Sequence, residues 1–242
     1  MLAIMNKTIG ELAAENPAAA TVFEKLGIDY CCGGSNTLKQ ACFAAGLPLE
    51  QVSDTLEMTL ETDRATAPDR DWKSQPLADL IAHIQSAHHQ YTRAALARLE
   101  ALFDKVCRVH GTNHPELARM QATFGGLAQE LTTHMMKEEM VLFPYIVRME
   151  RAVQEKSTVL PAPFGSVRNP VAMMLHEHDD AGQALREMRA ASNGYAAPSD
   201  ACASYRSLYQ ALGEFETDLH QHIHLENNIL FPRAIEMAES GD

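Results

Sequence analysis

His134 and Glu138, and His222 and Glu226, are histidine–glutamate pairs with the same spacing of four residues. On a helix, positions i and i+4 are neighbours on one face, so each pair can present an imidazole nitrogen and a carboxylate oxygen to one point. That donor set suits iron or manganese better than soft metals. The pairs open two similar stretches, HMMKEEMVLFP and HIHLENNILFP, at an offset of 222 − 134 = 88 residues. Two further histidines, His89 and His178, repeat at an offset of 178 − 89 = 89. Each half therefore reads as a helix hairpin carrying His, then His and Glu, in the same order.

If four helices alternate in direction, these six side chains converge in one core. The count fits two metal ions: four imidazoles, two bridging carboxylates and a bridging oxygen leave about two of roughly twelve octahedral positions open for a small ligand such as O2, NO or water. Helical bundles are established hosts of such two-metal carboxylate sites. Iron is the favoured metal.

A single His/Glu pair would ordinarily be a solvated helix pair, and a single histidine such as His83 a packed or surface residue. Two pairs in a duplicated context are not explained that way. His220 and His224 lie about 200° around the helix from His222, as His176 does from His178, and should point elsewhere. His88 is only about 100° from His89, so helical phase leaves either as the ligand. His110 and His114 fall near an expected loop and read as exposed. Met135 and Met136 read as core filler without chemistry.

The expected fold class is all-α, an up-down four-helix bundle with a small N-terminal helical domain. Four long helical patterns run over 76–108, 114–151, 169–192 and 200–239, with Gly111, then Pro161, Pro163, Gly165 and Pro170, then Gly194 and Pro198 in the breaks. No stretch alternates with period two, so strands are not expected. In the first sixty residues, Thr8 with Glu11 makes a capping-box pattern, Asn16-Pro17 opens a second helix and Gly27 closes it. Cys31, Cys32, Gly33 and Gly34 make a tight turn, followed by helical stretches over 37–45 and 48–61 separated by Gly46. Residues 62–75 are polar, contain Pro68 and read as a linker. The expected domains are 1–61 and 76–240.

Of the 242 residues, 46% are hydrophobic, and the formal charge is −12. That charge offers no general field for nucleic acid or anionic lipid, and neither is expected as a partner. The amino terminus has no signal-length apolar run, which places the chain in the cytoplasm. The five cysteines contain no CxxC and read as thiols in a reducing compartment. Adjacent Cys31 and Cys32, beside two glycines, read as thiols on exposed, flexible backbone: a redox switch, a transient iron ligand, or ordinary free thiols.

HMMKEEMVLFP, LHEHDDAG and HIHLENNILFP closely resemble the hemerythrin-like domain of the iron–sulfur cluster repair di-iron proteins, the ScdA/YtfE group. DYCCGG at 29–34 resembles that family's N-terminal cysteine motif, and the likeness covers nearly the whole chain in the family's domain order. By position it implies His89, His134, Glu138, His178, His222 and Glu226 as ligands of two non-haem irons with an oxo or hydroxo bridge. Glu138 and Glu226 are the bridging carboxylates. His89 is preferred to His88 because the family's first ligand precedes an arginine by four residues, here Arg93. His88 stands where the family commonly has an aromatic. Glu177 matches an acidic residue lining access to the irons, with a role in proton or iron movement, and the motif favours a functional role for Cys31 and Cys32.

The resemblance implies repair of iron–sulfur clusters damaged by nitric oxide or oxidants, by delivery of iron to the damaged proteins. Alternatives are an enzyme reducing NO to nitrous oxide and a sensor binding O2 or NO. A homodimer is left open.

Overall fold

The N-terminal helices form where their caps are. Thr8 accepts from the Glu11 amide and Glu11 reciprocates to the Thr8 amide, starting α1 (Ile9–Glu15). Asn16 caps α2 (Pro17–Leu26), which ends on Gly27 at φ 66°. A second capping box, Thr37 with Gln40, starts α3 (Leu38–Ala45), closed by Gly46 at φ 67°; α4 is Leu49–Asp63. Each cap contributes about 1 kcal/mol by satisfying amides the helix leaves open. The computed structural model describes residue 4 and residues 6–63, 71–157 and 164–240. Residues 64–70 of the expected linker, including Pro68, and the expected breaks at Pro161 and Pro163 lie outside the described residues.

The long patterns are helical, with a feature their periodicity did not show. Helix α5 (Leu77–His83) runs into a π-helical turn, π1 (Ile84–His89), and on into α6 (Gln90–His110). Helix α7 (Glu116–Lys137) is followed by π2 (Glu138–Leu142) and α8 (Phe143–Glu155). Helix α9 is Arg168–Ala191. Helix α10 (Ala203–Leu225) leads into π3 (Glu226–Leu230) and α11 (Phe231–Ser240). Among the described residues there is one isolated bridge, Thr8 with Thr37, and no strand.

The chain divides into two compact units, Met1–Ile81 with Ile146–Pro161 and His220–Asp242, and Ala82–Tyr145 with Ala162–Leu219. In the first, Ile9, Leu12, Phe23, Tyr30, Leu38 and Leu56 form a buried core. Glu150 accepts from the Leu77 and Ala78 amides at 2.6 and 2.9 Å, capping α5. Arg233 holds the carbonyls of Trp72 and Gln75, both at 2.8 Å.

The second unit is a helical bundle in which α7 packs on α6 and α9. The five residues between α6 and α7 turn the chain back on itself. Phe103, Phe124 and Phe215 meet in its core, with ring centroids 5.2 and 6.5 Å apart. Each such ring, fully buried, contributes roughly 2–3 kcal/mol. No helix among the described residues is long and apolar enough to cross a membrane.

Candidate metal centre

The three π turns sit at the predicted ligands. His89 ends π1, Glu138 begins π2 and Glu226 begins π3. In each, the amide of the following residue reaches back five positions: Gln90 to Gln85, Phe143 to Glu138, Phe231 to Glu226. Leu-Phe-Pro explains two of them. Pro144 and Pro232 have no amide to return to the ladder, and the ring would press on the carbonyl four residues back, so an inserted residue relieves both problems.

In the second unit, the Nε2 of His134 lies 3.0 Å from the Nε2 of His178 and 3.3 Å from Glu138 Oε1. The other Glu138 oxygen lies 3.4 Å from His89 Nε2. All four side chains are almost fully buried. The Nδ1 atoms face outward to carboxylates: His134 to Glu177 Oε2 at 2.8 Å, His89 to Glu139 Oε1 at 2.7 Å. A carboxylate only accepts, so Nδ1 carries the proton and Nε2 turns its lone pair toward Glu138. Lone pairs and a carboxylate converging in a dry site repel one another, and a cation among them removes the repulsion.

In the first unit, His222 Nε2 lies 3.1 Å from Glu226 Oε1, both buried. Within the second unit, one ligand atom each of His134, Glu138 and His178 lies within 4.8 Å of the others, as do those of His89 and Glu138, and within the first unit those of His222 and Glu226 do the same. Nitrogen and carboxylate donors without thiolate fit iron.

The remaining histidines separate by partner. His88 Nδ1 pairs with Asp218 at 3.0 Å, which gives the neighbour of His89 its own role. His220 pairs with Glu24 at 2.9 Å, and His176 is exposed beside Asp180. His224 is buried against the Tyr30 ring, accepts from Asn228 at 2.9 Å, and is pushed down to about 4 by desolvation, so it stays neutral. Against expectation, His110 and His114 are partly buried, packed on Tyr205.

Two carboxylates support the imidazoles from behind. Burial alone would raise Glu139; bonds from Arg93, at 2.7 Å, and His89 outweigh it and hold the carboxyl low. Burial would likewise raise Glu177, but Lys137 and His134 hold it low. Glu177, with Glu130, Thr133, His134, Lys137 and Asp180, lines a pocket of about 490 Å³. Glu139 was not singled out from sequence. Its position beside Glu138 was visible, but that it faces π1 depends on the packing of two helices.

The expectation of an exposed cysteine turn needs correction. Cys31 is 4% exposed, and only Cys32 reaches partway to solvent. Asp29 Oδ1 accepts from the amides of Cys32 and Gly33 at 2.9 and 3.2 Å, shaping the turn. The Cys31 sulfur lies 3.9 Å from that of Cys32, and the neighbouring thiol, burial and Asp29 raise its pKa. Two asparagines of π3 hold the backbone: Asn227 donates to the Cys31 carbonyl at 3.2 Å and Asn228 to that of Tyr30 at 3.1 Å. A Cβ on Gly34 would stand 2.1 Å from Asn228 Oδ1, so only glycine fits there.

Residues 80–234 match the family model of the hemerythrin HHE cation binding domain, and residues 5–59 that of a domain of unknown function, DUF542. The chain is 39% identical over 235 residues to the iron–sulfur cluster repair protein YtfE of Pectobacterium atrosepticum, covering 97% of this chain and 99% of that one. It belongs to the YtfE family of iron–sulfur cluster repair proteins. YtfE of Musicola paradisiaca is 37% identical over 95% of this chain and 96% of its own. YtfE of Yersinia pestis is 36% identical, over 95% and 97%. With the hemerythrin-type domain, the buried His/Glu cluster is iron-binding in character.

Proposed function

We propose that this protein repairs damaged iron–sulfur clusters by supplying iron from a centre of two non-haem ions, held by His89, His134, Glu138, His178, His222 and Glu226. The observation that carries this is the Glu138 carboxylate, with one oxygen toward His89 and the other toward His134. That is the placement of a group bridging two ions, and Glu226 is its counterpart in the repeat. When bound, the centre supplies exchangeable iron, with an oxo or hydroxo bridge and room for NO or O2.

The chain's own residues set how firmly iron is held. Glu139 and Glu177 accept hydrogen bonds from the Nδ1–H of His89 and His134, fixing each tautomer and raising the basicity of Nε2. Glu177 also sits in the pocket that His134 lines, and Lys137 shares its carboxylate. Protonating Glu177 or engaging it with Lys137 alone would loosen the hold on His134, and this is its role in releasing iron. Cys31 and Cys32 act at transfer, as a redox switch or passing iron ligand; a buried, protonated Cys31 must first be uncovered. The N-terminal domain spans residues 1–61 and the bundle 76–240, and the protein works in the cytoplasm.

The test is iron content and the Mössbauer spectrum of anaerobically purified protein, followed by transfer to an apo-cluster protein. About two coupled, nitrogen- and oxygen-ligated irons per chain, moving to the acceptor, are expected. Stoichiometric zinc, or iron that never leaves, would overturn the reading. Steady nitrous oxide production with an electron donor would replace it with an NO-reducing enzyme.

A further inference from the structure

Cys31 and Cys32 stand in a turn of the first unit where three side chains meet at one point. One ligand atom each of Asp29, Cys31 and Cys32 lies within 4.8 Å of the others. The Cys31 sulfur is 3.9 Å from that of Cys32 and 3.4 Å from Asp29 Oδ1. A thiol has one proton and cannot donate to both. Asp29 Oδ1 already accepts from the amides of Cys32 and Gly33, so a third donor is not what it lacks. A Cβ on Gly33 would stand 2.5 Å from the Asp29 carbonyl oxygen, so the turn is closed as tightly as glycine allows.

The pair is poorly placed for a disulfide. Adjacent Cα atoms are about 3.8 Å apart, less than the roughly 4.4 Å at which ordinary disulfides begin. At a tetrahedral ion, bonds of about 2.3 Å to sulfur and 2.0 Å to oxygen set S···S at about 3.8 Å and S···O at about 3.5 Å. The turn already holds both separations, at 3.9 and 3.4 Å. Two sulfurs and one carboxylate suit a ferrous or zinc-class ion; calcium and magnesium require oxygen donors.

We propose that Asp29, Cys31 and Cys32 form a three-ligand landing site for one ferrous ion in transit. The site rests on the iron-supply reading for its cargo, and it uses the cysteines as ligands rather than as a redox switch. Asn227, the residue after Glu226, donates to the Cys31 carbonyl, which ties the turn to the chain beside a proposed iron ligand. Asp29 is exposed, Cys32 half-buried and Cys31 buried. An ion therefore meets Asp29 and Cys32 first, and Cys31 is uncovered to close on it. Two metal–sulfur bonds replace two S–H bonds, both protons go to solvent and the ion keeps its charge. Three ligands leave the fourth tetrahedral position open, and there a thiolate of the acceptor protein binds before the Asp29 carboxylate lets go. Once acceptor thiolates have replaced both sulfurs, Cys31 and Cys32 take up protons again. No electron moves in this exchange, so it needs no oxidant or reductant.

The test uses full-length, iron-loaded protein titrated without oxygen with Co²⁺ alone, with iron measured before and after. One further equivalent of Co²⁺, with a sulfur-to-cobalt charge-transfer band and no loss of iron, is expected. The band should vanish in Cys32→Ser, with helix content checked by circular dichroism, and persist in Cys202→Ser, whose side chain is exposed. Asp29→Asn keeps an oxygen that can accept the two amides but removes the charge. It should weaken cobalt binding about tenfold or more, and Cys32→Ser should keep its iron content yet pass iron to an apo-cluster protein about tenfold or more slowly. Absence of the band, its survival in Cys32→Ser, or its loss in Cys202→Ser would overturn the site. A band in wild-type protein whose iron never leaves would keep the site and overturn the iron-supply reading; iron transfer without the band would do the reverse.

Discussion

The two repeats, HMMKEEMVLFP and HIHLENNILFP, do the same thing at their ends and different things in between. In both, a buried histidine precedes a buried glutamate by one turn, a π turn starts at the glutamate, and Phe-Pro restarts the α-helix. After Glu138 the chain offers Glu139, which turns back to His89, then Met140 and Val141, 74% and 45% exposed. After Glu226 it offers Asn227 and Asn228, which hold the carbonyls of the cysteine turn. The repeat therefore fixes the His/Glu pair and its π turn, and the residues between record what each helix meets.

The largest expected effect tests the equivalence of the repeats. Glu138→Leu and Glu226→Leu should each reduce iron from about two per chain to well below one by elemental analysis. Equal retention in both would remove the ligand assignment, and loss in only one would make the repeats unequal in function.

Asn228→Ala targets the covering side. It removes bonds to Tyr30, Cys31 and His224, and should lower stability by about 1–3 kcal/mol in denaturant titrations while leaving iron content near wild type. Alkylation of Cys31, slow in the wild type because the thiol is buried and its pKa raised, should quicken in this variant, read by mass spectrometry. Unchanged labelling would mean the asparagines do not keep the turn closed.

Glu139→Gln and Glu177→Gln probe support of the imidazoles. Each should weaken iron retention against a chelator about 10- to 100-fold, since Nδ1 loses a charged acceptor. A null result for Glu139→Gln alone would confine the support to His134. The smallest effect belongs to the open side: Met140→Gln should change stability by less than about 0.5 kcal/mol, against the larger loss in Asn228→Ala.

Much of this was legible because it is local. Thr8 with Glu11, Asn16-Pro17 and Gly27 are helix boundaries written within a few residues, and the structure places the caps there. The repeated His/Glu spacing marked the four residues whose face is set by one helical turn. His89 over His88 was not decidable by phase. In the fold, Asp218 faces the imidazole of His88, and Glu139, braced by Arg93, faces that of His89.

Sequence by itself determined the helices, the duplicated order of His and Glu and the nitrogen-and-carboxylate character of the repeat, because capping, periodicity and i, i+4 adjacency act within a single turn. Tertiary structure alone decided that Cys31 is buried, that Glu139 and Glu177 face two imidazoles, and that His110 and His114 meet Asp200. Those arrangements join side chains tens of residues apart, and only packing sets which faces come within bonding distance.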